Sequence, residues 1–527
     1  MYDYVIVGGG SAGCVLAARL SEDPNIRVLL LEAGITDDRC DIHVPAATVA
    51  LWGSPIDWDD HTEPQPHLGG RCIRWPHGKV LGGSSAINVM MYMRGHRQDY
   101  DRWAELGNPG WSWDDVLFYF RRAENQERGA SEHHGVGGPL HVGDPKHMNP
   151  LSEAFLRAGA EIGLPRSSDF NGGEPSGVGV AQATIRRGRR CSAATAYLEP
   201  ARRRRNLEVR TGAQALRLVE EGGRVSAVEY RSDVGPGIAS AALEVIVSAG
   251  SINTPALLMR SGIGPGAHLR DLGIPVIRDL RGVGENLHDH PLMPVVYSCT
   301  RPVTLESART AANVFRYLVF RRGALASNGA ETAAFVSSDG DGGPPDLEVI
   351  LFPAQPPDWY TGLQEPIRGS CFSILASLIR PRSRGFVRLR SPDPSVPPRI
   401  QPNYLGDARD LAVAVAAVKI CRRLARAKAF DPFRGREHVP GEEFGSDAEI
   451  AGAVRRHLTT SFHPVGTCAM GNGPMSVVDA RLRVRGLVGL RVVDGSIIPE
   501  IVSGNTNAPI IMIAEKASDL IREDSRG

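Results

Sequence analysis

The sequence predicts a fold of mixed class, α/β plus α+β, and three observations support this prediction. Residues 4–32 read as an apolar strand, a glycine turn, an Ala/Leu-rich helix from about Ser11 to Ser21 and a buried strand. Helical periodicity recurs further along the chain, at 114–126, 151–162, 409–429 and 447–458. Runs rich in β-branched residues, typical of strands, lie at 207–210, 225–230, 243–249 and 484–494.

Composition and charge exclude several classes of protein. The 527 residues include 60 Lys+Arg against 59 Asp+Glu, and 42% of them are hydrophobic. A net charge of +1 lacks the basic footprint of nucleic-acid binding, and the apolar content suffices for a large core. No apolar run reaches 18 residues, so we expect no membrane span.

The start of the chain and the cysteines predict a compartment. A strand pattern begins within five residues of Met1, which leaves no room for a charged and apolar leader. The eight cysteines are scattered and form no CxxC pair. We therefore expect reduced thiols and a cytoplasmic protein.

The turn after the first strand has the pattern G-x-G-x-x-G, which is typical of a phosphate-binding loop. Gly8 permits the tight turn, Gly10 lets the backbone approach a pyrophosphate, and Gly13 allows helix and strand to pack closely. The helix that starts at Ser11 and Ala12 then presents free N–H groups to the phosphates.

A carboxylate at the end of the second strand strengthens this interpretation. Glu32 follows Gly13 by nineteen residues, where it can accept hydrogen bonds from an adenosine ribose. Ala33 comes next, and no adjacent Arg is present to receive a 2′-phosphate, which makes NADP unsuitable. These residues alone leave NAD and FAD open.

Two long motifs resemble those of a known family. Residues 78–88 place Gly82, Gly83 and Ser84 before Asn88, a loop that can follow a cofactor closely with backbone donors. This segment and residues 248–265 resemble the two sequence patterns of the glucose–methanol–choline (GMC) oxidoreductases. Further stretches resemble the choline-dehydrogenase-like branch of that family, at 191–198, 284–290, 463–471, 494–496 and 505–509.

The resemblance implies FAD, an alcohol donor and two domains. The first is a discontinuous Rossmann-like FAD-binding domain, and the second is a substrate-binding domain built on an antiparallel sheet. We assign 1–155, 192–297 and 460–527 to the first, and 156–191 and 298–459 to the second. Asp494 belongs to the implied FAD site. Some members attach flavin through a histidine just before the loop's Asn, but Ile87 stands there, so we expect non-covalent FAD.

Alcohol oxidation needs a base for the hydroxyl proton and a polar group that holds the oxygen. His463 matches the base position of the family, and histidine is neutral near the working pH. Asn507 matches the second position, where an amide can donate to the substrate oxygen. Asn505 is expected only to shape the backbone. Pro509 suits the first position of a helix whose positive end points at the flavin in the family.

The predicted function is an FAD-dependent dehydrogenase or oxidase of a small-molecule alcohol, with dioxygen or another compound as electron acceptor. A hydroxynitrile lyase that keeps its flavin oxidised and a non-catalytic flavoprotein are the alternatives. His288 and His290 could suggest a metal pair, but no carboxylate or cysteine group of matching spacing accompanies them, so no metal is expected. The oligomeric state and the alcohol stay open. Five aromatic residues are candidates for either a substrate pocket or the core: Phe315, Tyr317, Phe352, Trp359 and Tyr360.

Overall fold

The computed structural model describes residues 1–340, 342–363 and 367–526. Positions 341, 364–366 and 527 of the two predicted domains lie outside these described residues. Two large sheets organise the molecule. In chain order their strands are β1 Tyr2–Val7, β2 Val28–Leu31, β3 Arg166–Ser167, β4 Gly177–Val180, β5 Leu207–Arg210, β6 Gln214–Glu221, β7 Arg224–Ser232, β8 Gly235–Val247, β9 Pro291–Cys299, β10 Thr332–Val336, β11 Leu347–Phe352, β12 Cys371–Leu378, β13 Arg434–Val439, β14 Thr459–Thr460 and β15 Leu490–Val492.

Helices pack around the two large sheets, and short two-stranded pairs lie outside these sheets. The longer helices are α1 Ser11–Leu20, α2 Arg97–Glu105, α3 Trp113–Ala123, α4 Pro150–Glu161, α5 Gly250–Arg260, α6 Ala311–Phe320, α7 Ala408–Arg426, α8 Asp447–His457 and α9 Asn507–Arg526. Short helical segments include Thr48–Leu51, Glu199–Ala201, Gly266–Asp271 and Asp358–Thr361. Small two-stranded pairs join Asp60–His61 to Arg74–Trp75, Glu124–Gln126 to Leu140–Val142, Ile185–Arg186 to Arg189–Arg190, Ile263–Gly264 to Arg278–Asp279, and Phe386–Arg388 to Arg399–Gln401.

The first sheet has the order β5-β2-β1-β8-β7-β6, and β15 also pairs with β8. Strands β5, β2, β1, β8 and β15 run parallel, whereas the long β8 turns back through β7 in antiparallel pairing. The register aligns Val7 with Leu31 and with Val247. The residues that follow these strands therefore lie at one edge of the sheet, where open α/β sheets bind their ligands. This confirms the predicted Rossmann-like unit.

The second sheet has the order β13-β9-β12-β11-β10-β4-β3, with β14 on β9. Its pairs are antiparallel except for the short pair β3–β4. Helices α4 and α7 pack against the sheet and bury an apolar core with it. The antiparallel sheet expected for the substrate-binding domain is therefore present.

Some sequence-based boundaries differ from the structure, and each difference has a local cause. Strand β9 crosses the proposed boundary at 297/298, and α4 crosses the one at 155/156, so the domain division stays a prediction. The run 484–494 forms a strand only at Leu490–Val492, because Gly486 and Gly489 adopt positive φ angles of 76° and 74°.

Two further properties bear on the predictions. Within 1–340, 342–363 and 367–526, no helix is both long enough and apolar enough to cross a membrane. All eight cysteines are free thiols, and the five buried ones lie in the two large cores: Cys14, Cys191, Cys371, Cys421 and Cys468.

Candidate active site

The carboxyl ends of β1, β2, β8 and β15 form the floor of an elongated cleft. The residues that follow these strands line it, together with the loop at 77–84 and the start of α9. Most of the predicted cofactor residues lie there: Gly8, Gly10, Ser11, Ala12, Glu32, Ala33, Gly83, Ser84 and Asp494. Separate segments of the chain thus converge on one site.

The glycine loop is shaped for a ligand that approaches the backbone. Gly8 has a φ of 102°, and a Cβ there would lie 2.5 Å from the carbonyl oxygen of Ser248. A Cβ on Gly13 would lie 1.8 Å from the oxygen of Gly8, so strand and helix can pack only without a side chain. At Gly10 the nearest protein atom is the Cα of Gly83 at 4.0 Å, which leaves the space above it open. No side chain caps α1, so its first N–H groups face the cleft.

Glu32 is held rigidly at the cleft. One of its carboxylate oxygens accepts the N–H of Gly9 at 2.7 Å, and the other accepts the N–H of Gly34 at 2.7 Å. Burial raises the pKa of this carboxyl to about 7, although both backbone donors oppose the rise. Each oxygen keeps a second lone pair for a ligand hydroxyl, so the residue fits the ribose of a dinucleotide.

Asp494 joins the cleft to the helix that follows β8. Its Oδ2 accepts from the N–H of Gly250 at 2.8 Å and from the hydroxyl of Thr254 at 2.6 Å. Its Oδ1 accepts the N–H of Ser496 at 2.8 Å. Asp494 therefore positions the loop around it as well as lining the cleft.

Four predicted cofactor residues lie behind the cleft: Gly13, Gly82, Asn88 and Pro509. Gly82 forms a turn with a φ of 90°. The Oδ1 of Asn88 is occupied by the guanidinium of Arg190 at 2.9 Å and by the N–H of Met90 at 3.0 Å. Pro509 is the third residue of α9 and not the first, because the helix begins at Asn507. Ile87 is buried and aliphatic, so it offers no nucleophile to a flavin.

A second, mostly apolar cavity adjoins the cleft, and the loop after β14 separates the two. Pro464 lines the cleft, His463 lines the second cavity, and Phe462 between them lines both. The backbone of Phe462 has a φ of 63°, a conformation that non-glycine residues seldom adopt and that often marks functional loops. His463 thus stands at the junction of a cofactor cleft and a small pocket.

Three neighbours fix His463. Its backbone N–H donates to Asp289 Oδ1 at 2.7 Å, its Nδ1 lies 3.0 Å from His290 Nδ1, and its Nε2 lies 3.2 Å from the amide nitrogen of Asn505. The ring is partly accessible to the cavity but enclosed by protein elsewhere, and burial lowers its pKa to about 4. The imidazole is therefore neutral near pH 7.

The contact between the two imidazoles sets the position of the proton. Burial and the neighbouring His463 hold the pKa of His290 well below its usual range, so both rings are neutral. When Nδ1–H of His463 donates to His290, Nε2 of His463 is the unprotonated nitrogen, and it accepts an N–H of Asn505 at the edge of the cavity. This is the arrangement that a base requires.

The structure does not bring Asn507 to the imidazole. The Oδ1 of Asn507 accepts from the hydroxyl of Ser11 at 2.7 Å, in the cofactor cleft. The amide beside His463 belongs to Asn505, which also lines the second cavity. The structure therefore does not show the predicted pairing of Asn507 with His463, because α9 starts at Asn507 and the chain before it carries Asn505 into the pocket.

Sequence reasoning also missed Asp289. Besides the N–H of His463, it accepts the hydroxyls of Tyr404 and Thr460, and its side chain is buried. Burial raises the pKa of this carboxyl to about 6. Asp289 lies 174 positions before His463 and anchors the backbone of the loop that carries it.

Both ring nitrogens of His288 form hydrogen bonds with backbone groups. Its Nδ1 donates to the carbonyl oxygen of Asn286 at 2.6 Å, and its Nε2 accepts the N–H of Ile501 at 2.9 Å. Neither ring nitrogen has a lone pair free for a metal ion. The described residues include no group of three or more metal-binding side chains.

The aromatic candidates divide between pocket and surface. Phe352 and Tyr360 line the second cavity. Trp359 packs edge-on against Trp52, another residue of that cavity, at 6.2 Å between ring centroids. Phe315 is exposed and Tyr317 is buried beneath α6, so neither belongs to the pocket.

Comparisons with known proteins agree with this geometry. Family models described as GMC oxidoreductase match residues 2–292 and 381–514. The chain is 44% identical to human choline dehydrogenase, mitochondrial, over 99% of its own length and 90% of that protein. Among solved structures it is similar to pyridoxine 4-oxidase from Mesorbium loti, with a TM-score of 0.91, 37% identity and complete coverage of both chains.

It is also similar to a formate oxidase from Aspergillus oryzae RIB40, a protein studied for FAD modification, with a TM-score of 0.93 and 29% identity over 100% of this chain and 98% of the other. The cleft provides what FAD needs: an uncapped helix end, close backbone approach at Gly10 and a carboxylate for the ribose. Neither the lyase nor the non-catalytic alternative finds support among these relatives. The chain belongs to the GMC oxidoreductase family, as an FAD-dependent enzyme that oxidises the CH–OH group of an alcohol.

Proposed function

We propose that His463 is the base that removes the hydroxyl proton of the substrate alcohol. The observation that carries this proposal is the neutral imidazole at the junction of cofactor cleft and pocket, with Nε2 directed to the pocket side. FAD bound in the cleft supplies the acceptor for the hydride that leaves the carbinol carbon. The side chains of this chain hold the substrate oxygen and accept the hydroxyl proton.

Asn505 holds the substrate oxygen beside the base. Its Oδ1 is buried without a hydrogen-bond partner among the described residues, and its amide nitrogen faces His463 Nε2. A substrate hydroxyl that replaces the hydrogen bond between Asn505 and His463 can donate its proton to the imidazole and accept a hydrogen bond from the amide. Asp289 and His290 act as positioning residues, since they fix the backbone and the proton of His463.

The pocket favours a compact substrate. Its volume is about 100 Å³, smaller than the roughly 150 Å³ cavity that accommodates benzene. Its walls are mostly apolar, with Leu292, Ile350, Phe352 and Phe462 among them. A small alcohol with a short apolar body fits this space.

One polar group stands out in the pocket wall. Glu348 is 0% exposed, and neither carboxylate oxygen has a hydrogen-bond partner among the described residues. It lies opposite Ser377 in the sheet, and the hydroxyl of Ser377 is 2.8 Å from that of Ser461, on the loop that carries His463. Burial raises the pKa of Glu348 to about 8, so it lacks the partner that would hold its charge.

We propose that the substrate is an amino alcohol whose nitrogen carries at least one N–H. Unpartnered carboxylate oxygens need hydrogen-bond donors, and an ammonium supplies both the donor and the compensating charge. The aromatic rings of Phe352, Tyr360 and Phe462 add a surface that attracts a cation. A quaternary ammonium has no N–H and leaves the carboxylate oxygens without donors.

Anaerobic mixing of the FAD-loaded enzyme with matched alcohols tests both proposals. Dimethylaminoethanol and its carbon isostere isoamyl alcohol differ only in the nitrogen, and choline adds a methyl group in place of the proton. We expect all reactive alcohols to bleach the flavin, and dimethylaminoethanol to bind about 10- to 100-fold more tightly than isoamyl alcohol, the worth of a hydrogen bond to a charged group. Admission of air afterwards shows whether dioxygen or another compound reoxidises the flavin.

The Glu348→Gln variant isolates the carboxylate. We expect the preference for dimethylaminoethanol over isoamyl alcohol to fall to within about threefold. Glu331→Gln is the matched control, since Glu331 is equally buried but partnered by Ser327 and the N–H of Asn149, outside the pocket. The substrate class alone would be refuted if dimethylaminoethanol and isoamyl alcohol bound equally tightly, or if choline bound as tightly as dimethylaminoethanol. The role of the site would be refuted if no alcohol bleached the flavin.

We propose the cytoplasm as the compartment of this enzyme. The eight free thiols support this, because a reducing compartment keeps cysteines unpaired. Fractionation of cells that express the full chain, with flavin fluorescence as the marker, tests the assignment.

A further inference from the structure

We propose that α6 docks the enzyme onto an anionic lipid surface. The helix sits on the outside of the molecule, and its apolar side chains point into solvent. Phe315, Leu318 and Phe320 are 63%, 62% and 61% exposed, and Val314 and Val319 are also exposed. Such a concentration of large apolar groups on ten residues marks an interaction surface.

The helix is anchored so that this face stays outward. Tyr317 is the buried residue of α6, and its hydroxyl donates to the carbonyl oxygen of His43 at 3.4 Å. At 100° per residue, Phe315 and Val319 lie about 160° from Tyr317, on the opposite side of the helix, whereas Val314, Leu318 and Phe320 lie about 60° to 100° from it on the flanks. The body of the protein therefore covers one edge of the helix and leaves a broad apolar stripe free.

The charge around the helix identifies the partner. Residues 301–323 contain five arginines and one acidic residue, Glu306. Arg309, Arg316 and Arg322 are exposed, and none of the three has an ion-pair partner in the described part of the chain. An apolar helical face bordered by arginines is the pattern of a helix that lies in a membrane interface, where anionic lipid headgroups attract the arginines.

A second copy of the chain is a poorer occupant. A two-fold interface places the same surface on both subunits, so the arginines around one α6 would face those around the other. Such like charges at a desolvated contact are unfavourable. Anionic lipid headgroups instead attract these arginines and neutralise their charge, so the electrostatic contribution to binding becomes favourable.

Sedimentation of the FAD-loaded enzyme with vesicles tests the proposal. One set contains phosphatidylcholine alone, and the other contains equal parts of phosphatidylcholine and phosphatidylglycerol. We expect binding to the anionic vesicles, weaker binding at high salt, and about a tenfold or greater loss of binding in the Phe315→Asp/Leu318→Asp double variant. Both residues are exposed, so the fold is retained, and unchanged flavin absorbance checks it.

Phe118→Asp serves as the control. Phe118 is 60% exposed on α3, a different surface, and its replacement should leave vesicle binding within about twofold of the unaltered enzyme. The proposal is overturned if the enzyme does not sediment with anionic vesicles or if the double variant sediments as well as the unaltered enzyme. It is also overturned if light scattering without lipid shows that the α6 substitutions instead dissociate an oligomer.

Discussion

In the His463→Ala variant, we expect anaerobic reduction of the flavin by an alcohol to slow by about 10²- to 10⁴-fold, the usual contribution of a general base. The physical reason is the loss of the neutral imidazole whose Nε2 faces the pocket beside Asn505. FAD should remain bound, because His463 does not line the cofactor cleft. Rapid mixing with absorbance detection at the flavin band measures the rate constant.

His457→Ala provides a matched control for this prediction. His457 is also buried and neutral, with its Nδ1 donating to the carbonyl oxygen of Thr361, but it lies at the end of α8 and outside the pocket. Its replacement should change the rate of flavin reduction less than tenfold, even if the protein becomes less stable. Reduction of His463→Ala at the rate of the unaltered enzyme would remove His463 from the mechanism.

The Gly10→Ala variant should lose FAD without losing its fold. The backbone of Gly10 has a φ of −77°, which alanine adopts freely, and the nearest protein atom to the added methyl is 4.0 Å away. The methyl group instead occupies the space above the glycine loop that a pyrophosphate needs. We expect the affinity for FAD to fall about a hundredfold or more, equivalent to about 3 kcal/mol of steric repulsion.

Thermal unfolding of the FAD-free protein separates this effect from misfolding. Gly10→Ala should unfold within about 2 °C of the unaltered FAD-free protein, and titration with FAD should then fail to raise its stability. Gly452→Ala is the matched control: it lies inside α8, where the nearest atom to a new Cβ is 3.7 Å away, and should retain FAD fully. Normal FAD affinity in Gly10→Ala would contradict the placement of the pyrophosphate.

The parts of the fold that sequence predicts best depend on local rules. The βαβ unit combines a glycine turn, a short helix and two buried strands within thirty residues, and the structure has β1, α1 and β2 there. Strand β5 and helices α4, α7 and α8 also lie at the predicted positions to within three residues. The partner strands of each sheet are less predictable, because β9 pairs with strands that lie about 80 and 140 residues away.

In the active site, the sequence patterns do not predict which side chains contact His463. Asn505 and Asn507 are chemically identical and two residues apart, so the motif cannot say which of them reaches His463. The answer depends on the path of the backbone, which turns at Gly504 and enters α9 at Asn507. The role of Asp289 could not be predicted for a similar reason, because its contact with His463 joins distant parts of the chain.

Glu348 left a signal that sequence reasoning can use. It is the one charged residue in the six-residue strand Leu347–Phe352, whose other members are all apolar. A carboxylate inside such a strand is buried whichever face it occupies, and a buried charge needs a partner or a function. Searching apolar strands for isolated carboxylates would have identified it as a site candidate.

The most direct test of the account compares Asn505→Ala with Asn507→Ala in the FAD-loaded state. Because Asn505 contacts His463 and Asn507 contacts Ser11, only the first should lose the group that holds the substrate oxygen. We expect flavin reduction by the preferred alcohol to slow by about 10²-fold or more in Asn505→Ala and by less than tenfold in Asn507→Ala. A slow Asn507→Ala beside a fast Asn505→Ala would contradict the assignment of the catalytic pair.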